Sequence, residues 1–226
     1  MQKLLPNLAL MAGTALGLWA CSENTSSQTR QTGKTTSQVQ ATTPDTNQRS
    51  DTFSSDTKYS VDAYALLNHS TTPDDAYRFA RGLPVIHPYT KARVQLRTPL
   101  DFLVVSDHAE YMGVMQLIAA KDANLMATDI GQNLISMNEA GNSQGIMAAV
   151  VGPLNKGEAI EELLGDEIRS PIWNEIVDAA ERNNRPGEFT TFIGWEWSSL
   201  VSGTNLHRVI FTPDGADVAK RFLPFS

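Results

Sequence analysis

The stretch LDFLVVSDHAEY, residues 100–111, carries the strongest structural signal in the chain. Its apolar run, residues 101–106, has strand length and predicts a β-strand buried on both faces. Ionisable residues follow the strand directly, and a helix is predicted next, over about residues 114–123. Ligands of α/β domains bind beyond the carboxyl ends of parallel strands, so residues 106–111 are expected to lie near a functional site.

Helices and strands alternate outward from this stretch. Thr72 as N-cap, with Pro73 and two aspartates after it, predicts a helix that runs through Ala80 and ends at Gly82. An amphipathic helix is predicted over residues 171–183. The remaining predictions are strands over residues 189–195 and 206–211, helical character over 155–164, and a loop or weak strand over 141–152. The alternation predicts an α/β fold with mostly parallel strands.

Two more predicted strands carry ionisable residues near their ends. Glu196 lies at the end of the FTTFIGW strand, and His207 lies at the start of the next one. Together with Asp107 and His108, they form the set of donors expected for zinc, manganese or iron. Each residue also has a structural alternative: a hydrogen-bonded Asp-His pair, a glutamate paired with an arginine, or an interior histidine.

Composition excludes several classes of protein. The 226 residues are 41% hydrophobic and 19% charged, which excludes collagen, coiled coils and a fully disordered chain. The net charge of −7 argues against a nucleic-acid partner, because phosphate binding needs clustered Lys and Arg. The single cysteine excludes an intramolecular disulfide and an all-cysteine zinc site.

The N-terminus predicts export. Lys3 precedes an uncharged, mostly apolar run, residues 4–20, which is typical of a signal peptide over residues 1–20. The run ends at Cys21 and resembles a bacterial lipoprotein signal, in which this cysteine is lipidated and anchors the chain to a membrane. The alternative is a plain signal peptide with an incidental cysteine.

Residues 21–52 are predicted to be a disordered, lipid-anchored tether. Of the 31 residues after Cys21, 21 are Ser, Thr, Gln or Asn, which cannot bury enough apolar surface to offset the entropy of ordering. Ser22, which is not an aspartate, favours the outer membrane by resemblance to lipoprotein sorting, facing the periplasm or the surface. The α/β domain is then expected over residues 53–226.

Five segments carry a resemblance to a known family: YSVDAY, TPDDAYRFARG, LDFLVVSDHAEYMGV, FIGWEWSS and NLHRVIF. They resemble the domain-of-unknown-function family 3604 (DUF3604), which is related to the PHP superfamily of metal-dependent phosphoesterases, named for polymerase and histidinol phosphatase. The resemblance implies a distorted strand–helix barrel of the PHP type. It also implies divalent metal ions, zinc, manganese or iron, at the carboxyl ends of the strands.

The resemblance also implies roles for individual residues. Asp107 and His108 match the strand-end pair of the superfamily, with His108 as a metal ligand and Asp107 orienting an imidazole or ligating directly. Glu196 matches the bridging glutamate, and His207 matches a further metal-binding histidine. Asp107, His108 and Glu196 are therefore the expected catalytic residues.

Two departures from the family pattern affect the expected activity. Ser54 and Asp56 occupy the positions of a His-x-His metal motif, so Asp56 is expected to serve as a ligand to a hard metal. Superfamily members also carry ligands C-terminal to this region, and the expected folded part has about 170 residues where a complete strand–helix barrel has about 250. The sequence is therefore expected to be the N-terminal portion of a longer protein, a partial barrel.

Two classes of function follow. The first is an exported metal-dependent hydrolase, poorly active as given, that acts on a small-molecule phosphoester or related ester. The second is a non-catalytic surface lipoprotein or degenerate PHP-like binding module. The altered His-x-His positions favour the second class, and the retained SDH, WEW and NLH segments favour the first.

The anchor can be tested by replacing the cysteine. Cys21→Ala should release the protein from washed membranes into the soluble fraction, because the acyl chains that hold it there can no longer be attached. Fractionation and immunoblotting of wild type and variant measure this. Unchanged membrane association of the variant would contradict lipidation at Cys21.

Overall fold

The computed structural model describes residues 56–199 and 206–226. The predicted signal peptide, Cys21, the tether and Ser54 lie outside the described residues. The helices are α1 Val61–Ala65, α2 Pro73–Ala80, α3 Val114–Ala120, α4 Ala123–Met126, α5 Asp129–Glu139, α6 Ser143–Leu154, α7 Asp166–Asn183 and α8 Ala216–Ala219, with a 3-10 turn at Glu161–Leu163. The strands are β1 Val85–Ile86, β2 Arg93–Val94, β3 Phe102–Val105, β4 Thr190–Ser199 and β5 Leu206–Thr212.

The start of α2 confirms the predicted helix signal. The Thr72 side chain accepts a hydrogen bond from the Asp75 backbone N–H, and the Asp75 carboxylate accepts one from the Thr72 backbone N–H. This reciprocal capping satisfies two donors that the first turn of a helix leaves without partners. The helix ends at Ala80, and Gly82 follows with a φ of +69°, a conformation that glycine adopts without strain.

The central sheet has the order β3-β4-β5 and corrects the prediction of mostly parallel strands. β3 pairs with β4 in parallel, but β5 runs antiparallel to β4 over seven residue pairs. β3 is an edge strand of the described sheet, and this explains why Phe102 is 59% exposed although burial on both faces was predicted. The fold is a mixed α/β arrangement of helices and small sheets, and residues 56–199 and 206–226 contain no closed barrel.

The middle of the chain is more helical than predicted. The loop or weak strand predicted over residues 141–152 is wrong, because α6 occupies most of this segment, with Asn142 as its N-cap. Ile146 and Val150 recur at helical spacing in this segment, and both are buried. α7 begins five residues before the predicted start and contains Pro171.

Two apolar clusters hold these elements together. The first packs α2 and α7 against β3 and β4, and Trp173 of α7 meets Trp195 of β4 edge to face. The second gathers side chains of α3, α5 and α6, with Ile118 and Leu134 fully buried. In the part of the chain that the structure describes, none of the helices has the length and hydrophobicity that a membrane crossing requires.

Candidate metal centre

Backbone pairing places His108 beside Glu196. Beyond the end of β3, the backbone N–H of Glu196 donates to the carbonyl of Asp107 over 2.9 Å, and the N–H of Ala109 donates to the carbonyl of Glu196 over 3.0 Å. These bonds extend the parallel pairing of β3 and β4 as a bridge between His108 and Glu196. The two side chains are therefore brought together by the strands themselves.

The β4–β5 pairing adds His207 to the same face of the sheet. His207 lies directly opposite Ser198, and Ser198 lies on the same face of β4 as Glu196, two residues earlier. The Nδ1 atom of His207 lies 2.6 Å from Glu196 Oε1 and 2.9 Å from Ser198 Oγ. Ser198 Oγ is also 3.1 Å from His108 Nδ1, so this hydroxyl links the two imidazoles.

The predicted ligands form two groups that share one histidine. Donor atoms of His108, Glu196 and His207 all lie within 4.8 Å of one another, and so do those of His108, Asp56 and Asp62. His108 Nε2 lies 3.8 Å from Glu196 Oε1 and 3.4 Å from Asp62 Oδ2. Ligands on a tetrahedral zinc ion with bonds near 2.0 Å stand about 3.3 Å apart. Most of these distances therefore suit a cation. Glu196 Oε1 and His207 Nδ1 are 2.6 Å apart and would have to separate slightly to bind the same ion.

Asp107 lies behind this group, in the protein interior. Its fully buried carboxylate accepts hydrogen bonds from the Thr57 backbone N–H at 2.5 Å, the Thr57 hydroxyl at 2.7 Å and the Ser60 hydroxyl at 3.0 Å. Ser60 Oγ in turn accepts from the His108 backbone N–H at 3.0 Å. Asp107 thus fixes the segment that carries Asp56 and Asp62, while its own side chain is not among those that line the adjacent cavity.

The charges around His108 create a site of strong negative potential. Burial lowers the pKa of His108, but the neighbouring carboxylates of Asp62 and Glu110 outweigh this effect and raise the pKa to about 11. Burial raises the pKa of Glu196, against the lowering effect of the two imidazoles. Without a metal, the proton on His108 compensates the surrounding carboxylates, and a divalent cation supplies the same kind of compensation.

Glu110 is a site residue that no sequence pattern had indicated. Its side chain is only 8% exposed, and neither carboxylate oxygen has a hydrogen-bond partner among the described residues. Glu110 Oε2 lies 3.5 Å from His108 Nδ1. A buried carboxylate without hydrogen bonds is costly unless a positive charge is near. Its position two residues after His108, in the SDHAEY segment, was the available signal.

The donor set fits a divalent cation. Two imidazoles and several carboxylates converge, and this is the mixture that zinc, manganese and iron accept. The remaining histidines are elsewhere: His69 stacks on Tyr64, and His87 accepts two backbone hydrogen bonds in the turn between β1 and β2. The fit rests on the convergence of donors and on the buried Glu110 carboxylate.

A cavity of about 310 Å³ opens onto this cluster. One wall is polar, and the other is formed by apolar side chains, mainly of α6. The lining residues are Val61, Asp62, His108, Glu110, Tyr111, Met147, Val150, Val151, Leu154, Glu196, Ser198 and His207. The cluster therefore faces a space that can hold a small molecule.

Comparison with known protein families identifies the family of this domain. The profile of the family described as "Protein of unknown function (DUF3604)" matches residues 51–226, and the chain belongs to this family. No match was found among curated proteins or among solved structures.

The role of Asp107 can be tested at Thr57. Burial raises the pKa of Asp107 to about 7, while hydrogen bonds from Thr57 and Ser60 oppose this rise. Because this value exceeds the unfolded value of about 3.9, the proton stabilises the fold at low pH, and this stabilisation is lost as the pH rises through 7. Thr57→Val should lower the free energy of unfolding by about 1 to 3 kcal/mol, and by more at pH 8 than at pH 5, because the lost hydroxyl donates to the charged carboxylate.

Urea denaturation at the two pH values measures the effect. The control is Thr98→Val at an exposed threonine, where a change within about 0.5 kcal/mol is expected. An equal loss in both variants, or a penalty at Thr57 that does not grow with pH, would contradict the assigned role of Asp107.

Proposed function

We propose that the chain is an exported metal-dependent hydrolase of phosphoesters or related esters. The observation that carries this proposal is the convergence of His108, Glu196 and His207 in the lining of a cavity. Imidazole and carboxylate donors at a cavity large enough for a small molecule are the usual composition of a catalytic metal site.

The residues that would hold the ion are the two groups that share His108. Glu196 and His207 complete one group, and Asp56 and Asp62 complete the other. When bound, a divalent cation supplies Lewis acidity toward an ester oxygen and lowers the pKa of water. Glu110 is placed to accept a hydrogen bond from His108 Nδ1, which would leave Nε2 directed toward Asp62 and Glu196.

The protein side chains themselves can move a proton during ester cleavage. His207 Nδ1 lies 2.6 Å from Glu196 Oε1, and the Ser198 hydroxyl lies within hydrogen-bond distance of both imidazoles. In hydrolysis, water adds to the ester centre, the bond to the alcohol oxygen breaks, and that oxygen takes up a proton. The Ser198 hydroxyl lines the cavity between the two imidazoles and is positioned to relay this proton.

Finer features of the proposal come from the sequence. The resemblance to the PHP superfamily suggests a strand–helix barrel in which Glu196 would be a metal ligand. The N-terminal pattern suggests a lipid anchor at Cys21 in the cell envelope. A non-catalytic binding module is the second candidate, and Asp56 at a position where the family has histidine favours it.

The activity is tested with a chromogenic phosphate monoester in the presence of manganese or zinc. Wild type should turn over slowly and only with metal, and Glu196→Gln should lose at least about 100-fold in turnover, since it removes a charged ligand. Glu162→Gln makes the same change at an exposed glutamate and should have no effect. Asp56→His should raise zinc affinity and turnover, because imidazole is a better zinc ligand at neutral pH.

Elemental analysis of each protein accompanies the assay. Turnover that is independent of metal, or that survives Glu196→Gln, would contradict the hydrolase proposal. Stoichiometric metal binding without turnover in either wild type or Asp56→His would assign the chain to the binding-module class.

A further inference from the structure

Helix α6 has an apolar face that the protein core covers only in part. The helix, Ser143–Leu154, contains no charged residue. Ile146 and Val150 point into the second apolar cluster and are buried. Met147, Val151 and Leu154 follow the spacing i, i+4, i+7, so they form a second stripe, and all three are only partly buried.

This second stripe lines the cavity in front of the metal-binding side chains. The same cavity is bounded by His108, Glu196 and His207 on its polar wall. Water in this cavity solvates the carboxylates favourably, but its contact with the apolar stripe is unfavourable. When these carboxylates hold a cation, a ligand with an anionic head and an apolar tail covers both walls.

The volume of the cavity limits the size of that tail. A dry cavity of about 150 Å³ accepts a benzene molecule in other proteins. The cavity here, about 310 Å³, has roughly twice that volume. It therefore has room for one aromatic ring or a chain of about six carbons, together with a phosphate-sized head group.

We propose that the site takes monoesters of aryl or medium-chain alkyl alcohols, with the apolar group on the stripe Met147–Val151–Leu154 and the ester head at the metal-binding side chains. This inference rests on the proposed function and adds its substrate class. Sugar and nucleoside phosphates are disfavoured, because their hydroxyl groups would lose hydrogen bonds to water against this wall.

Binding of n-alkylphosphonates, which cannot be hydrolysed, tests the inference. Affinities of methyl-, propyl- and hexylphosphonate are measured by calorimetry for the manganese-loaded and the metal-stripped protein. Each methylene that leaves water improves affinity about fourfold when fully covered, so hexylphosphonate should bind at least 30-fold more tightly than methylphosphonate. The dependence on chain length should persist in the stripped protein, at lower affinity.

A matched pair of variants locates the tail. Met147→Gln places a polar group of similar size in the stripe and should reduce the ratio of hexyl to methyl affinity at least about threefold. Met126→Gln makes the same change at a half-exposed methionine outside the cavity and should leave the ratio unchanged. Thermal melting verifies that both variants fold.

The outcomes separate the two proposals. Equal affinity across the series, or no binding of hexylphosphonate to either form, would overturn the inference. A ratio unchanged by Met147→Gln would overturn the placement on α6. A clear dependence on chain length with no effect of manganese would support the apolar subsite and contradict the metal-dependent function.

Discussion

The site depends on the pairing of β3 with β4, which continues for two backbone hydrogen bonds past the end of β3. This extension fixes the backbone of residues 107–109 against Glu196, so the chain cannot turn away from the sheet before His108. The adjacent antiparallel pairing then sets His207 opposite Ser198. A shift by one residue in either register would move the side chains to the opposite face and disperse the cluster.

The same extension buries Asp107 and makes its carboxylate an anchor for a distant part of the chain. A carboxylate without solvent is stable only when donors surround it, and Thr57 and Ser60 supply three hydrogen bonds. The segment that brings Asp56 and Asp62 to the site is thereby held from inside. The carboxylates of Asp62 and Glu110 beside His108 create a negative potential that favours a cation there.

The sequence predicted those helices and strands whose formation depends mainly on neighbouring residues. The capping box at Thr72 gave the start of α2, and the apolar runs gave β3, β4 and β5. The direction of β5 was not predictable from its own residues, because parallel and antiparallel strands differ in connections and pairing more than in composition. α6 was missed because its residues are uncharged and mostly apolar, so only tertiary packing shows which of them face the core.

The candidate site was also predicted in part, where residue type was sufficient, and missed where tertiary packing decides. The donor types of His108, Glu196 and His207 were readable at strand ends, and the structure brings all three together, with Asp56 in the second group. Asp107 is hydrogen-bonded in the interior to Thr57 and Ser60, whereas Glu110 lies beside His108 without a hydrogen bond. These environments depend on tertiary packing, which the local sequence does not reveal. The resemblance to the PHP superfamily implied a catalytic role for Asp107, and neither the resemblance nor the spacing indicated a role for Glu110.

The most direct test of the metal centre is anomalous X-ray scattering from crystals of the protein grown with zinc, with data collected on both sides of the zinc absorption edge. The account predicts a peak bonded at about 2.0 to 2.2 Å to a nitrogen of His108 or His207 and to a carboxylate oxygen of Glu196. A fully occupied zinc ion bound elsewhere, with no peak among these side chains, would contradict it.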